Sequence, residues 1–263
     1  MDFGMPTLIE LGTLPETVEL CTELGLTFIE LNMNMPQYQI EALSGDTLYN
    51  TQNNDIYFTI HLEENLNIWD FNPLVAKAYL DTVLSAIDFA KGNKIPILNM
   101  HMNTGVYFTL PNERVYLYDR YRRDFMEKTR RFRQECESAI GESDIKICIE
   151  NSDGFTDFQM EAMEYLLESP LFGLTLDIGH DHSIGNKDEP YFMCHKNKLY
   201  HMHIHDAIAD KNHLAIGSGE IDIHQKLLLA ETHNCRCVLE TKTVEGLKLS
   251  VSNLHNLFKG ITY

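Results

Sequence analysis

The stretch Leu199-Tyr200-His201-Met202-His203-Ile204-His205-Asp206 places an imidazole at every second position. In an extended strand, side chains at i, i+2 and i+4 share one face, so the three histidines line one side and Tyr200, Met202 and Ile204 the other. One buried histidine is ordinarily a core group satisfied by backbone. Three in register, followed at once by an aspartate, point to a metal or catalytic site, because imidazole is the commonest protein metal ligand.

Counting this one, six apolar runs close on a residue that can bind a metal: His61, His101, Glu150, Asp177, His203 and Glu240. If the runs are strands of one parallel barrel, their C-terminal ends emerge on a single face, and residues from position 61 to position 240 converge there. Glu150, Asp177, His203 and Glu240 offer three carboxylates and one imidazole, a set suited to Mn²⁺, Zn²⁺, Mg²⁺ or Co²⁺ and unlike a thiolate site. His61 and His101 complete a second centre if Glu150 bridges. The expectation is one tight divalent metal on the first four residues and a second, weaker one near His61 and His101.

The elements that position these residues follow from an alternation of short apolar runs with segments of helical period. Strands are expected within Met1–Leu11 and at Thr27–Leu31, Ile56–His61, Ile95–His101, Ile145–Glu150, Phe172–Asp177, the histidine stretch and Arg236–Glu240. Helices are expected at Pro15–Leu24, Pro73–Lys91, Arg114–Ile140, Asp157–Glu168, near Glu189–Lys196, and at Asp222–His233 and Val244–Phe258. The Asn-rich segment before Ile56 carries no clear period. Eight strands alternating with helices in a chain of 263 residues, with no linker or low-complexity break, predict an α/β fold, a single (β/α)₈ TIM barrel over residues 1–263. An open doubly wound sheet is the alternative, but no Gly-x-Gly-x-x-Gly turn follows an early strand.

Composition narrows the function. The formal charge of −18 opposes contact with phosphate backbones or anionic membranes, so no nucleic-acid partner and no membrane partner is expected. The one basic cluster, Arg120 to Arg133, is interleaved with Asp119, Asp124, Glu127 and Glu135, as on a solvated outer helix. Six cysteines form no Cys-x-x-Cys pair and read as reduced and structural. No secretory leader or long apolar span is evident, which predicts a cytoplasmic protein. No residue pattern sets the oligomeric state, and a homo-oligomer is compatible with the sequence.

The chain resembles the xylose-isomerase-like barrel superfamily, which holds sugar epimerases and isomerases and the endonuclease IV type of DNA-repair enzyme. The resemblance is carried by Ile149-Glu150-Asn151-Ser152-Asp153-Gly154, Leu176-Asp177-Ile178-Gly179-His180, His203-Ile204-His205-Asp206, the run from His213 to Asp222, and Leu239-Glu240-Thr241, with His61 and His101 extending it into the first half. It implies a divalent-metal-dependent isomerase or epimerase acting on a sugar, sugar phosphate or related polyol. In such members, residues matching Glu150, Asp177, His203 and Glu240 hold the metal, Glu150 and Glu240 move the protons through an enediolate, and His180 contacts a substrate oxygen.

The runner-up is a zinc-dependent phosphodiesterase of the endonuclease type, in which His180 and His213 match ligands of a third metal. Its carboxylate is missing, since Lys211 stands two residues before His213 and Asp210 is one place off. The loop after the second strand, Asn32 to Gln39, also lacks a basic residue for DNA. In the first reading His213 contacts substrate alongside His180. A metal-bearing barrel that only binds a ligand is a third reading. Gly217-Ser218-Gly219 reads as a tight turn, with a phosphate cradle near Lys211 and Lys242 as the alternative.

Overall fold

The computed structural model describes residues 1–43, Leu48 and 56–259. Its strands are β1 (Asp2–Pro6), β2 (Phe28–Asn32), β3 (Tyr57–His61), β4 (Ile97–His101), β5 (Tyr107–Thr109) and β6 (Arg114–Tyr116). They continue with β7 (Lys146–Glu150), β8 (Phe172–Asp177), β9 (Leu199–Ile204), β10 (Asp206–Ile208), β11 (Lys211–Leu214) and β12 (Arg236–Leu239). The α-helices described are α1 (Leu14–Glu23), α2 (Pro73–Asn93), α3 (Leu117–Arg120), α4 (Arg122–Ile140) and α5 (Asp157–Leu167). After them come α6 (Ile178–Ser183), α7 (Glu189–Cys194), α8 (Ile223–Thr232) and α9 (Val244–Lys259).

Eight strands close a parallel barrel in the order β1-β2-β3-β4-β7-β8-β9-β12, with β12 pairing back onto β1. The chain is therefore a (β/α)₈ barrel, and the open doubly wound sheet is excluded. The strands are short, four to six residues, and both faces are apolar or polar-paired, as parallel strands covered by helices must be. Local chemistry sets the helix starts. Thr13 and Glu16 form a capping box at α1, Glu16 Oε2 accepting the Thr13 N–H at 2.9 Å. Asn72 caps α2 by accepting the Leu74 N–H at 3.1 Å.

The structure differs from the sequence expectation between β4 and α4. Where one helix was expected from Arg114, residues 107–116 form the antiparallel hairpin β5-β6, and the helix proper begins only at Arg122 after the short α3. Three-residue strands show no usable period, and the alternating Arg114-Val115-Tyr116 fits a hairpin edge as well as a helix start. Much of the Asn-rich segment lies outside the described residues. The basic cluster on α4 is paired with carboxylates: Arg133 reaches Glu137 at 2.9 Å and Glu168 at 3.0 Å, and Arg122 reaches Glu161 at 3.2 Å. Among the described residues no helix is long and apolar enough to cross a membrane. All six cysteines are free, and only Cys194 is exposed.

A buried carboxyl pair ties α6 to the start of α7. Asp181 and Asp188 are both buried; Asp181 Oδ1 accepts the Asp188 N–H at 2.9 Å, and the second oxygen of each has no hydrogen-bond partner. Burial, reinforced by the Asp188 carboxyl, raises Asp181 to about 6 from an ordinary 3.8. A raised folded-state value means that this group favours the fold below its unfolded value and loses that contribution as pH rises through about 6. Asp181→Asn keeps an oxygen for the Asp188 N–H. Thermal melts should place the variant above the parent at about pH 8, with the gap closing towards about pH 4.

Candidate metal centre

Each of the six residues that end apolar runs in the sequence lies at the C-terminal end of a barrel strand. His61, His101, Glu150 and Asp177 are the last residues of β3, β4, β7 and β8; His203 is one short of the end of β9, and Glu240 directly follows β12. Ligand atoms of Glu150, Asp177, His203 and Glu240 lie within 4.8 Å of one another, and so do those of His61, His101 and Glu150. His203 Nδ1 is 2.9 Å from Glu240 Oε2, 3.1 Å from Glu150 Oε1 and 3.7 Å from Asp177 Oδ2. The other Glu150 oxygen, Oε2, is 3.2 Å from the Nε2 atoms of both His61 and His101. Glu150 thus faces both groups, one oxygen to each.

These contacts suit a cation better than they suit each other. Both ring nitrogens of His203, Nε2 of His101 and Oε2 of Glu240 are buried yet have no partner in hydrogen-bond geometry, a state that natural cores rarely tolerate. His61 sharpens the point. Its Nδ1 lies 2.7 Å from the Leu62 carbonyl, which only accepts, so Nδ1 carries the proton and the neutral ring turns a lone pair on Nε2 toward the Glu150 carboxylate. Two lone pairs at that separation need a positive charge between them, either a second proton on the ring or a metal. Without metal the proton serves: burial lowers the His61 value, but the Glu150 carboxylate outweighs it and raises the imidazole to about 9. Burial likewise opposes ionisation of Glu150 and Glu240, yet the His203 imidazole holds both well below the usual carboxylate range, with His101 helping at Glu150 and Lys242 at Glu240.

The next layer of residues fixes these groups. Asn151 Nδ2 donates to the Asp177 carbonyl at 3.0 Å while its Oδ1 accepts the Asp177 N–H at 2.8 Å, so the residue after Glu150 clamps the backbone of Asp177. Asp177 also caps α6, accepting the His180 N–H at 2.7 Å. His205 Nδ1 accepts the His213 N–H at 2.8 Å, which leaves the proton on Nε2 to be donated to Asp177 Oδ1 at 2.9 Å. Gly179 makes room for this: a Cβ there would overlap the His205 ring. Asn99 Nδ2 donates to Glu150 Oε2.

His180 and His213 stand at the rim, partly exposed. His180 Nε2 is 3.9 Å from Asp177 Oδ2, His213 Nδ1 is 3.8 Å from Glu240 Oε1, and their rings meet edge to face at 5.2 Å. Burial lowers His213 to about 4, so it is neutral at physiological pH. Asp210 and Lys211 are exposed at the β10-β11 turn. Among the described residues no cluster of three ligand atoms contains His180 or Asp210.

The glycine turn is occupied from within. Asp206 Oδ2 accepts the N–H groups of Gly217 and Gly219 at 3.0 and 2.8 Å, and Oδ1 those of Ile221 and Ala207 at 3.1 and 2.9 Å. A Cβ on Gly219 would collide with the same carboxylate. The turn is an anion cradle, as its composition allows, but its anion is a side chain of the protein, and those N–H groups are not available to a phosphate.

Sequence reasoning passed over Glu30, which is buried in β2 with its carboxylate facing His201 and His203. The signal was present: a lone acid inside Phe28-Ile29-Glu30-Leu31 is a charge that burial makes costly unless it has a partner. Lys242 Nζ, 2.9 Å from Glu240 Oε1, was also read only as a neighbour of the glycine turn.

Comparison with known proteins adds to this geometry. The uncharacterized protein MJ1614 of Methanocaldococcus jannaschii is 25% identical over 271 residues, covering 98% of this chain and all of that one. A D-tagatose 3-epimerase-like protein of known crystal structure superposes with a TM-score of 0.79 at 21% identity, covering 99% of this chain and 98% of its own. The IOLI protein, solved with a binding zinc atom, superposes with a TM-score of 0.72 at 16% identity over 99% and 96% of the two chains. At these identities the two superpositions speak for the fold. The family model for the xylose isomerase-like TIM barrel matches residues 18–256, nearly the whole barrel, and the chain belongs to that family.

Proposed function

We propose that the protein is a divalent-metal-dependent isomerase or epimerase of a sugar or related polyol carbonyl compound. The observation that carries this reading is the convergence of Glu150, Asp177, His203 and Glu240 from four strand ends onto one point. Asp177 and His203 would hold the ion, with Glu150 and Glu240 completing its shell; His61 and His101 would hold a second ion against the far oxygen of Glu150. A divalent cation there supplies Lewis acidity to a carbonyl and its neighbouring hydroxyl, which makes the C–H between them acidic. The likeness in fold to a D-tagatose 3-epimerase-like protein and to a zinc-bound barrel supports the choice of substrate class and cofactor.

The residues of this chain then have distinct work. Glu150 and Glu240 both reach the centre beside His203 Nδ1, at 3.1 and 2.9 Å, and one carboxylate would remove a proton from a substrate carbon while the other returns one to its opposite face. Glu240 is the more exposed of the two, and His203 with Lys242 keeps it ionised. Asp177, clamped by Asn151 and His205 and fully buried, would serve as a ligand. His180 and His213 at the rim would hydrogen-bond substrate oxygens.

The His61, His101 and Glu150 cluster is the feature that a zinc phosphodiesterase would share. Against that reading, Asp210 is exposed and among the described residues joins no ligand cluster with His180 or His213, and the net charge of −18 repels a phosphate backbone.

Metal analysis of the purified protein, followed by proton exchange from D₂O into a panel of ketoses and ketose phosphates, tests the proposal. The expected result is one tightly held and one weakly held ion, and deuterium entering a carbon beside the carbonyl only when metal is present. Incision of abasic-site DNA without any such exchange would reverse the assignment.

A further inference from the structure

Glu30 has no part in the chemistry above, yet it is a buried acid inside the barrel. Its side chain is 3% exposed, and among the described residues its ion-pair partners are two histidines and no lysine or arginine. Oε1 lies 2.8 Å from His203 Nε2, Oε2 lies 3.3 Å from His201 Nε2, and Thr59 Oγ1 donates to Oε2 at 3.2 Å. The two imidazoles pack edge to face at 5.2 Å and are fully buried.

A neutral imidazole carries one N–H and one lone pair, and which nitrogen is bare depends on what the other one faces. A carboxylate only accepts. Nδ1 of His203 faces the Glu150 and Glu240 carboxylates, 3.1 and 2.9 Å away, so with an ion held among them Nδ1 turns its lone pair to the ion and the ring proton sits on Nε2, on the side of Glu30. With a neutral partner at position 30, the ring would lose the negative charge that favours this tautomer and strengthens its lone pair.

We propose that Glu30 is a positioning residue for His203: it selects the tautomer and raises the donor strength of the one imidazole in the four-residue centre. The inference rests on the metal-centre reading above. It explains why a charge is kept beneath the site, at a depth no substrate reaches.

The test uses Zn²⁺ alone, with the full chain labelled with ¹⁵N in its histidines. In the parent, Zn²⁺ should shift His203 Nδ1 and leave Nε2 bearing a slowly exchanging, downfield proton. Glu30→Gln keeps the volume, and a chelator competition should show Zn²⁺ affinity at this centre lowered by about 10–100-fold, with excess Zn²⁺ restoring occupancy. The Nε2 proton of His203 should also move upfield, a change that general loosening of the barrel would not produce by itself. If Glu30→Gln does not fold, Thr59→Val, which removes only the hydroxyl donor to Glu30, should lower affinity in the same direction by less. Unchanged affinity and an unchanged Nε2 proton in the folded Gln variant would overturn the role. So would Zn²⁺ bound at Nε2, which would make Glu30 a ligand. If the parent itself takes no Zn²⁺ at His203, the metal-centre reading fails first and the inference falls with it, a result distinct from failure confined to the variant.

Discussion

Turnover by Glu240→Gln should fall by ~10²–10⁴-fold, the contribution of one positioned general base, and saturating metal should not restore it. The amide keeps an oxygen that can face an ion, while losing the basicity that proton abstraction needs. Asp177, His203 and Glu150 remain to hold metal. Asp177→Asn is the comparison, because Asp177 is buried, doubly clamped and assigned only as a ligand. Its defect should be lost metal affinity, largely repaired by excess metal. Steady-state rates over a metal titration separate the two. Equal rescue of both variants would reduce Glu240 to a ligand and remove the two-carboxylate proton transfer.

The second large effect expected is on stability. Asp206 is 1% exposed and accepts four backbone N–H groups, from Ala207, Gly217, Gly219 and Ile221. Asp206→Asn exchanges one oxygen for an NH₂ group that meets two of these donors head on, with no room to turn away. Bonds to a charged group contribute about 1.5–3 kcal/mol each and unsatisfied buried donors cost about 1–3 kcal/mol, so a net loss of about 3 kcal/mol is expected. For a domain of this size that lowers Tm by roughly 6–12 °C. Calorimetry should show the shift, and amide exchange should locate the loosening at residues 207–221. A Tm within a degree or two of the parent would mean that the cradle is not needed to hold the turn.

The parts of this molecule that were legible in the sequence share a physical reason. In a parallel barrel the apolar run and its terminal side chain are contiguous, so His61, His101, Glu150, Asp177 and Glu240 could be read one at a time and assembled by topology. Glu30 could not, because its partners lie across the barrel interior, 171 and 173 positions away at His201 and His203, and no local period encodes that meeting. The glycine turn failed differently. Its composition correctly announces exposed N–H groups, but whether they face solvent or Asp206 depends on where β10 directs one side chain. The β5-β6 hairpin was hidden because its three-residue strands are shorter than any pattern that separates strand from helix.

The closing seam of the barrel also has a bearing on how the chain folds. β1 pairs with β12 through contacts such as Asp2 with Arg236, as distant in sequence as any in the sheet. Such pairing comes late, since loop closure must be achieved before those contacts return anything. Glu240 follows β12, which pairs with β9 on its other side, so a nascent chain still short of β12 has Glu150, Asp177 and His203 without their fourth member. Zn²⁺ added during refolding would therefore meet a three-residue shell until β12 docks on β9. The gain in ion affinity would then serve as a clock for the docking of that strand.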